Sequence, residues 1–273
     1  MANPGLHYDA EFAKPAEREE IARWLAGIQP LWENRFTERA AAAAGGQRRL
    51  LRPVYWLGSW QFACLDYYRP PRHVRDRCIV AEPYPPVLAR LVAEIERRAH
   101  RQYRGKDMPA AWQLNTCLVN LYGSKLENGK RVDCARLGEH RDFEPGPVAS
   151  LSLGERALFQ FVKRGRADEP TRVLAQEWLE DGSLLLFGGD TWKKNALHRV
   201  LRVEKKAGAH FDVRVENFET RRVNFTFRYV PAEHIVPFAE LGEQARGDVR
   251  GYMAALARSS TFFARELREG KRA

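Results

Sequence analysis

Residues 221–229 read RRVNFTFRY, and this stretch decides how the chain is built. Successive side chains of an extended strand point to opposite faces. Arg222, Asn224, Thr226 and Arg228 therefore share one face, and Val223, Phe225, Phe227 and Tyr229 share the other. A strand of this kind belongs in a sheet with one packed face, its polar face either meeting solvent or lining a site. Two guanidinium groups with an amide and a hydroxyl between them make a row of donors suited to a small dianion, because guanidinium binds carboxylate bidentately.

Other short apolar runs flank this one, divided by Gly, Pro and charged turns: NTCLVNLYG (115–123), GPVASLSLG (146–154), ALFQFVKRG (157–165), SLLLFGGD (183–190) and HRVLRV (198–203). Their number and spacing predict an antiparallel sandwich or barrel. Asn120 and Tyr122 fall on one face of their strand and add an amide and a phenol. Before this core, the spacing predicts helices over 15–27 and 85–102, the second amphipathic through Leu88, Leu91, Val92 and Ile95. A short helix and linker are expected at 37–46, strands within 54–68, and one or two helices in 239–268.

The motif HRD at 140–142 places His140 and Asp142 two residues apart, on one face of an extended segment, where both can reach one ion. His198, at the start of another strand, is the best third ligand among the remaining histidines. Two histidines and a carboxylate on one side of a metal leave the opposite positions open, as in non-heme Fe(II) oxygenases.

Composition sets the bounds. The chain has 273 residues, 44% of them hydrophobic and 11% aromatic, with a formal net charge of +10. Such a chain buries a core and is not disordered. A mean hydropathy of −0.52 and the lack of a long apolar run predict no membrane span. The N-terminal residues lack the apolar stretch of a secretory signal, so a cytoplasmic location is expected. Cys64, Cys78, Cys117 and Cys134 show no paired spacing, and we expect thiols with neither a disulfide nor a zinc knuckle. Net basicity fits a polyanionic partner but is weak evidence by itself.

In order along the chain, the HxD pair, the distal histidine and the RxNxTxR strand resemble the AlkB family of Fe(II)- and 2-oxoglutarate-dependent dioxygenases, from about Asn115 to Tyr229. The resemblance implies an α+β chain with a mainly β core: a double-stranded β-helix, or jelly roll, at 111–235. N-terminal helices and a substrate lid would occupy 1–110, and a C-terminal helical extension 236–273. It implies that His140, Asp142 and His198 bind Fe(II), and that Asn120, Tyr122, Arg222, Asn224 and Arg228 bind 2-oxoglutarate. With O2 as the other cosubstrate, the reaction would oxidise an N-alkyl group on a base of DNA or RNA, releasing formaldehyde, succinate and CO2. A protein or small-molecule substrate on the same iron core is the alternative. Trp60, Tyr67, Glu144 and Arg164 resemble substrate contacts, and the basic stretches 47–53, 69–77 and 96–104 fit contacts to phosphates. The segments 123–139 and 201–221 are longer than expected for compact members, and the tail beyond 235 has no recognised counterpart.

Overall fold

The computed structural model describes residues 4–36, 47–61, 78–165, 170–201 and 211–270. The strands of the N-terminal part are β1 (Leu6–Asp9), β2 (Asn34–Phe36), β3 (Gln47–Arg49), β4 (Val54–Leu57), β5 (Ser59–Trp60) and β6 (Cys78–Val80). The central part supplies β7 (Thr116–Glu127), β8 (Lys130–Asp133), β9 (Leu137–His140), β10 (Val148–Gly154) and β11 (Ala157–Lys163). It continues through β12 (Arg172–Leu179), β13 (Leu184–Phe187), β14 (Leu197–Leu201), β15 (Phe218–Arg228) and β16 (Ile235–Val236). Four α-helices complete the described residues: α1 (Pro15–Gly27), α2 (Pro86–Gln102), α3 (Glu243–Leu256) and α4 (Thr261–Glu269).

Two sheets form the body. The larger has the order β1-β13-β10-β15-β7-β4 with β8 attached to β7, and the smaller is β12-β11-β14-β9. Together they make a jelly roll with helical support, the predicted architecture. The face of β15 carrying Val223, Phe225 and Phe227 packs into the core against the helices. Its polar face is buried as well, so it is not a solvated surface: Arg222, Asn224 and Arg228 are 2%, 5% and 8% exposed.

Local chemistry explains the supporting helices. Pro15 opens α1 with its ring preset for helix, and Glu17 reaches back to the Lys14 backbone N–H (2.8 Å). In α2, the predicted apolar stripe of Leu88, Leu91, Val92 and Ile95 is buried. In α4, the Ser260 hydroxyl caps the first turn by accepting from the Phe263 N–H. Val249, Met253, Leu256 and Phe263 of the C-terminal helices join the same core as Ile21 and Leu25 of α1, Leu88 of α2 and Phe225 of β15. The N-terminal, central and C-terminal stretches therefore share one packing unit.

Several elements differ from the sequence expectation. The segment 123–139 continues β7 into a hairpin with β8, turning at Asn128 and Gly129, both at positive φ. β12 escapes a reading by alternation because it lies at a sheet edge and leaves Val173 and Trp178 exposed. β1 escapes because four residues carry too little pattern, although it pairs along β13. The expected helix and linker at 37–46 lie outside the described residues, as does all of 62–68. Cys117 and Cys134 are free and buried, Cys78 is buried, and Cys64 lies outside the described residues. Among the described residues no helix is long and apolar enough to cross a membrane.

Gly123 shows how closely β7 and β15 approach. The register shifts by one residue between Thr220 and Arg222, and a Cβ at Gly123 would collide with the Glu219 carbonyl. We expect Gly123→Ala to lower stability by about 1–3 kcal/mol through overpacking. A thermal melt should then fall by at least about 3 °C.

Candidate metal and cosubstrate site

The site lies between the two sheets, and strand register assembles it. His198 of β14 pairs directly with His140 at the end of β9, which brings the ring centroids to 4.1 Å. Asp142 follows two residues later. One donor atom from each of His140, Asp142 and His198 lies within 4.8 Å of the other two, and all three residues are buried. His198 is held by aromatic rings, stacked on Phe159 at 5.3 Å and edge-on to Phe187 at 5.4 Å.

The protonation states suit a cation. Burial pushes the pKa of both histidines down, most strongly for His198, so the imidazoles are neutral at pH 7. The His140 Nδ1 lies 2.8 Å from the Gly138 carbonyl, which selects the tautomer that leaves Nε2 with a lone pair. Burial alone would raise the Asp142 pKa, but Arg228 and the neighbouring groups overcome it and hold the carboxyl well below its usual range. Arg228 directs Nε (2.8 Å) and Nη2 (2.7 Å) at Oδ1. Oδ2, by contrast, accepts no hydrogen bond, although it lies 3.3 Å from His198 Nε2. A carboxylate oxygen and two imidazole nitrogens, buried and converging, fit a divalent transition metal.

Beyond this triad the inner face of the large sheet forms a polar pocket. Asn120 pairs with Asn224 and Tyr122 with Arg222 across β7 and β15, while Ser152 of β10 pairs with Asn224. Arg222 donates from Nη2 to the Ser152 hydroxyl (3.0 Å), and its guanidinium lies 4.8 Å from the Tyr122 ring centroid. Its Nε and Nη1 are buried without a hydrogen-bond partner. Burial lowers the Arg222 pKa, with Tyr122 opposing and Arg52 pushing the same way as burial, so this end of the pocket suits an anion. Asn224 is used differently. Its amide donates to Ser150 (2.8 Å) and Leu151 (3.1 Å), and its oxygen accepts from Thr226, so it braces the sheet.

One pocket residue was missed from the sequence. Arg52 is 3% exposed and donates from Nε to Asn120 Oδ1 (2.7 Å), with its guanidinium 5.1 Å from the same Tyr122 ring. The sequence places it in a basic stretch that reads as a phosphate contact, and the structure turns it inward instead. A Pro immediately after it and a β-branched aromatic run from 54 were the only local signals. The free space between Arg52, Arg222 and the triad is about 30 Å³.

A second cavity, about 330 Å³, opens beside Asp142. Its wall includes Arg141, Phe143, Glu144, Lys193 and Lys194. Glu144 thus lies at this mouth, accepting from Gln61 Nε2 (3.0 Å). The other expected substrate contacts go elsewhere. Trp60 is fully buried, with its indole N–H donated to Glu33 (3.0 Å) and its ring edge-on to Tyr252, and so belongs to the core. Arg164 pairs with Glu139 at 2.9 Å, and Arg97 and Arg98 of the 96–104 stretch pair with Glu94. Tyr67 and the basic stretch 69–77 lie outside the described residues.

Comparison with known proteins agrees with this geometry. The family model of the 2OG-Fe(II) oxygenase superfamily matches residues 5–228. The alpha-ketoglutarate-dependent dioxygenase AlkB of Salmonella typhimurium is 35% identical over 86 residues, 30% of this chain and 34% of that protein. The chain is thus matched to only about a third of the length of that relative. The solved structure of OsALKBH1 superposes with a TM-score of 0.50 at 21% identity, covering 84% of this chain and 100% of that one, and supports the jelly-roll fold. With a family model spanning the sheets, the triad and the arginine strand, the chain belongs to the 2OG-Fe(II) oxygenase superfamily.

Proposed function

We propose that the protein is an Fe(II)- and 2-oxoglutarate-dependent dioxygenase that removes N-alkyl groups from bases of DNA or RNA. His140, Asp142 and His198 would hold the iron, which with 2-oxoglutarate and O2 supplies an oxidant for an unactivated C–H bond. Arg222 would donate to the distal carboxylate of 2-oxoglutarate, with Arg52 beside it and Asn120, Tyr122 and Asn224 shaping the pocket. Arg228 would keep Asp142 ionised and oriented. On an N-methyl group the hydroxylated product collapses to formaldehyde and the free base.

The observation that carries the substrate half of this reading is the cavity beside Asp142. Its volume lies at the lower end of the range for small-ligand sites. Phe143, 50% exposed at its rim, supplies an aromatic face, and stacking on such a face holds an unstacked base. The similarity to AlkB points the same way. A hydroxylase of a small molecule or protein is the second reading, favoured by charge. At the mouth Lys106, Arg141, Lys193 and Lys194 are matched by Asp107, Asp142, Glu144 and Asp190, so the described residues give no positive stripe for a phosphate chain.

The test is incubation with Fe(II), 2-oxoglutarate and ascorbate against single- and double-stranded oligonucleotides carrying N-methylated or etheno bases, followed by product mass and succinate yield. Repair with stoichiometric succinate is the expected result. Turnover on a peptide or metabolite pool and none on any oligonucleotide would favour the second reading. Phe143→Ala should weaken affinity for a lesion-bearing strand about tenfold, the scale of one base–aromatic stack, with the melting temperature little changed.

A further inference from the structure

We propose that Lys193 is the donor half of a substrate-reading pair whose acceptor half is Glu144, and that the pair selects bases in which an oxo group and an amino group flank the alkylated nitrogen. The inference rests on the nucleic-acid reading above and adds to it a residue and a substrate class.

Lys193 sits in an unusual piece of backbone. Asp190–Asn195 forms a π-helical turn between β13 and β14, just before His198. Such turns cost regular hydrogen bonding and recur at functional sites. This one is anchored by Trp192, which donates its indole N–H to the Pro4 carbonyl (2.8 Å) and packs on Phe161 at 4.8 Å. Its other lysine, Lys194, pairs with Asp190 (2.7 Å) at the surface, where Lys106 pairs with the same carboxylate (3.0 Å). Lys193 differs from both, because its Nζ is buried and has no hydrogen-bond partner. It lines the cavity beside Asp142, and the carboxylates of Asp142 and Glu144 act on its charge.

Glu144 offers the complementary atom. Oε1 accepts from Gln61, while Oε2 is buried without a hydrogen bond, its approach to Arg228 Nε being 3.6 Å. Lys193 and Glu144 thus line one cavity, and each carries a buried polar atom without a hydrogen bond next to the metal-site carboxylate. A buried polar group without a partner is costly, and a ligand that completes both relieves that cost.

Base chemistry decides which ligands do so. The methylated N3 of cytosine lies between an oxo and an amino group, as does the methylated N1 of guanine. The methylated N1 of adenine lies between an amino group and a C–H, which leaves Lys193 unmatched. The methylated N3 of thymine lies between two oxo groups, which turns an acceptor toward Glu144. A site built around paired hydrogen bonds discriminates strongly against an analogue that lacks one of them.

The experiment measures fluorescence anisotropy of the metal-free full chain with short single strands. Each strand carries one 3-methylcytosine, 1-methylguanine, 1-methyladenine or 3-methylthymine, beside an unmodified strand, and turnover with Fe(II) and 2-oxoglutarate is the second readout. The wild type should favour 3-methylcytosine and 1-methylguanine by about tenfold or more over 1-methyladenine. Lys193→Met should level that preference, and Lys193→Gln, which keeps a neutral donor, should restore part of it. A thermal melt identifies folded variants, and if Lys193→Met does not fold, Lys193→Gln decides by the size of its residual preference. An unchanged preference in a folded variant would overturn the pair. So would equal affinity for all lesions above the unmodified strand, and that outcome would leave the nucleic-acid reading standing. Failure to distinguish any lesion from the unmodified strand, with no oligonucleotide turned over, would sink both.

Discussion

Asp142→Ala should reduce succinate formation by at least about 1,000-fold, equivalent to roughly 4 kcal/mol of lost transition-state stabilisation. Asp142 is the only carboxylate of the buried triad, and its Oδ2 is the oxygen without a hydrogen bond. Metal affinity should fall with activity, as read by titration of the protein with Mn(II) or Co(II). The variant should also lose stability, because Arg228 would keep a buried charge whose partner at 2.7–2.8 Å is gone. Breaking a buried pair in this way costs about 3–5 kcal/mol. Asp142→Asn separates the two effects: it preserves shape and an acceptor for Arg228, so stability should largely recover while metal binding stays weak. Retention of more than about a tenth of wild-type succinate formation in a folded Asp142→Ala protein would exclude the metal role.

The second large effect is expected at the other end of the pocket. Arg222→Met should raise the KM for 2-oxoglutarate on the order of 100-fold, since a buried, charge-assisted contact is worth about 2–5 kcal/mol. Metal titration in the absence of 2-oxoglutarate should be unchanged, which distinguishes loss of the cosubstrate contact from collapse of the triad. Arg52→Met should raise the same KM by a smaller factor, about tenfold, because Arg52 spends one donor on Asn120. An unchanged KM in Arg222→Met would remove the dicarboxylate assignment from this strand. Both variants also remove a cation from the Tyr122 ring, so tyrosine fluorescence or absorbance offers a check that the pocket was altered locally.

Much of the site was legible because it lies on strands whose period is two. The alternation of RRVNFTFRY separates core from pocket residue by residue, and burial of both faces follows that separation. The HRD spacing likewise puts His140 and Asp142 together, and a histidine at the head of a later strand completes the set. What alternation does not carry is the function of each polar group. Arg222, Asn224 and Arg228 share a face, yet one keeps two unpartnered donors, one braces the sheet and one holds Asp142.

Residues outside the long strands were harder to place. Trp60 and Arg52 lie eight residues apart in the N-terminal segment, and each was read by its type, an aromatic for stacking and a cation for phosphate. Their actual neighbours are Glu33 for Trp60 and Asn120, 68 residues away, for Arg52. Lys193 sits in a lysine pair whose members have opposite fates, one in a surface ion pair and one buried, because a π-helical turn rotates successive side chains onto different surroundings.

The amino-acid sequence by itself determined the β-rich class, the faces of the long strands and the three residues of the triad, because strand periodicity and an i, i+2 spacing are local properties. Only the tertiary structure decided which charges meet. It sent Arg52 into the polar pocket beside the triad, Trp60 into the core and Lys193 to the second cavity. Each of these outcomes depends on desolvation and on partners far away in the chain, and residue type and local spacing encode neither.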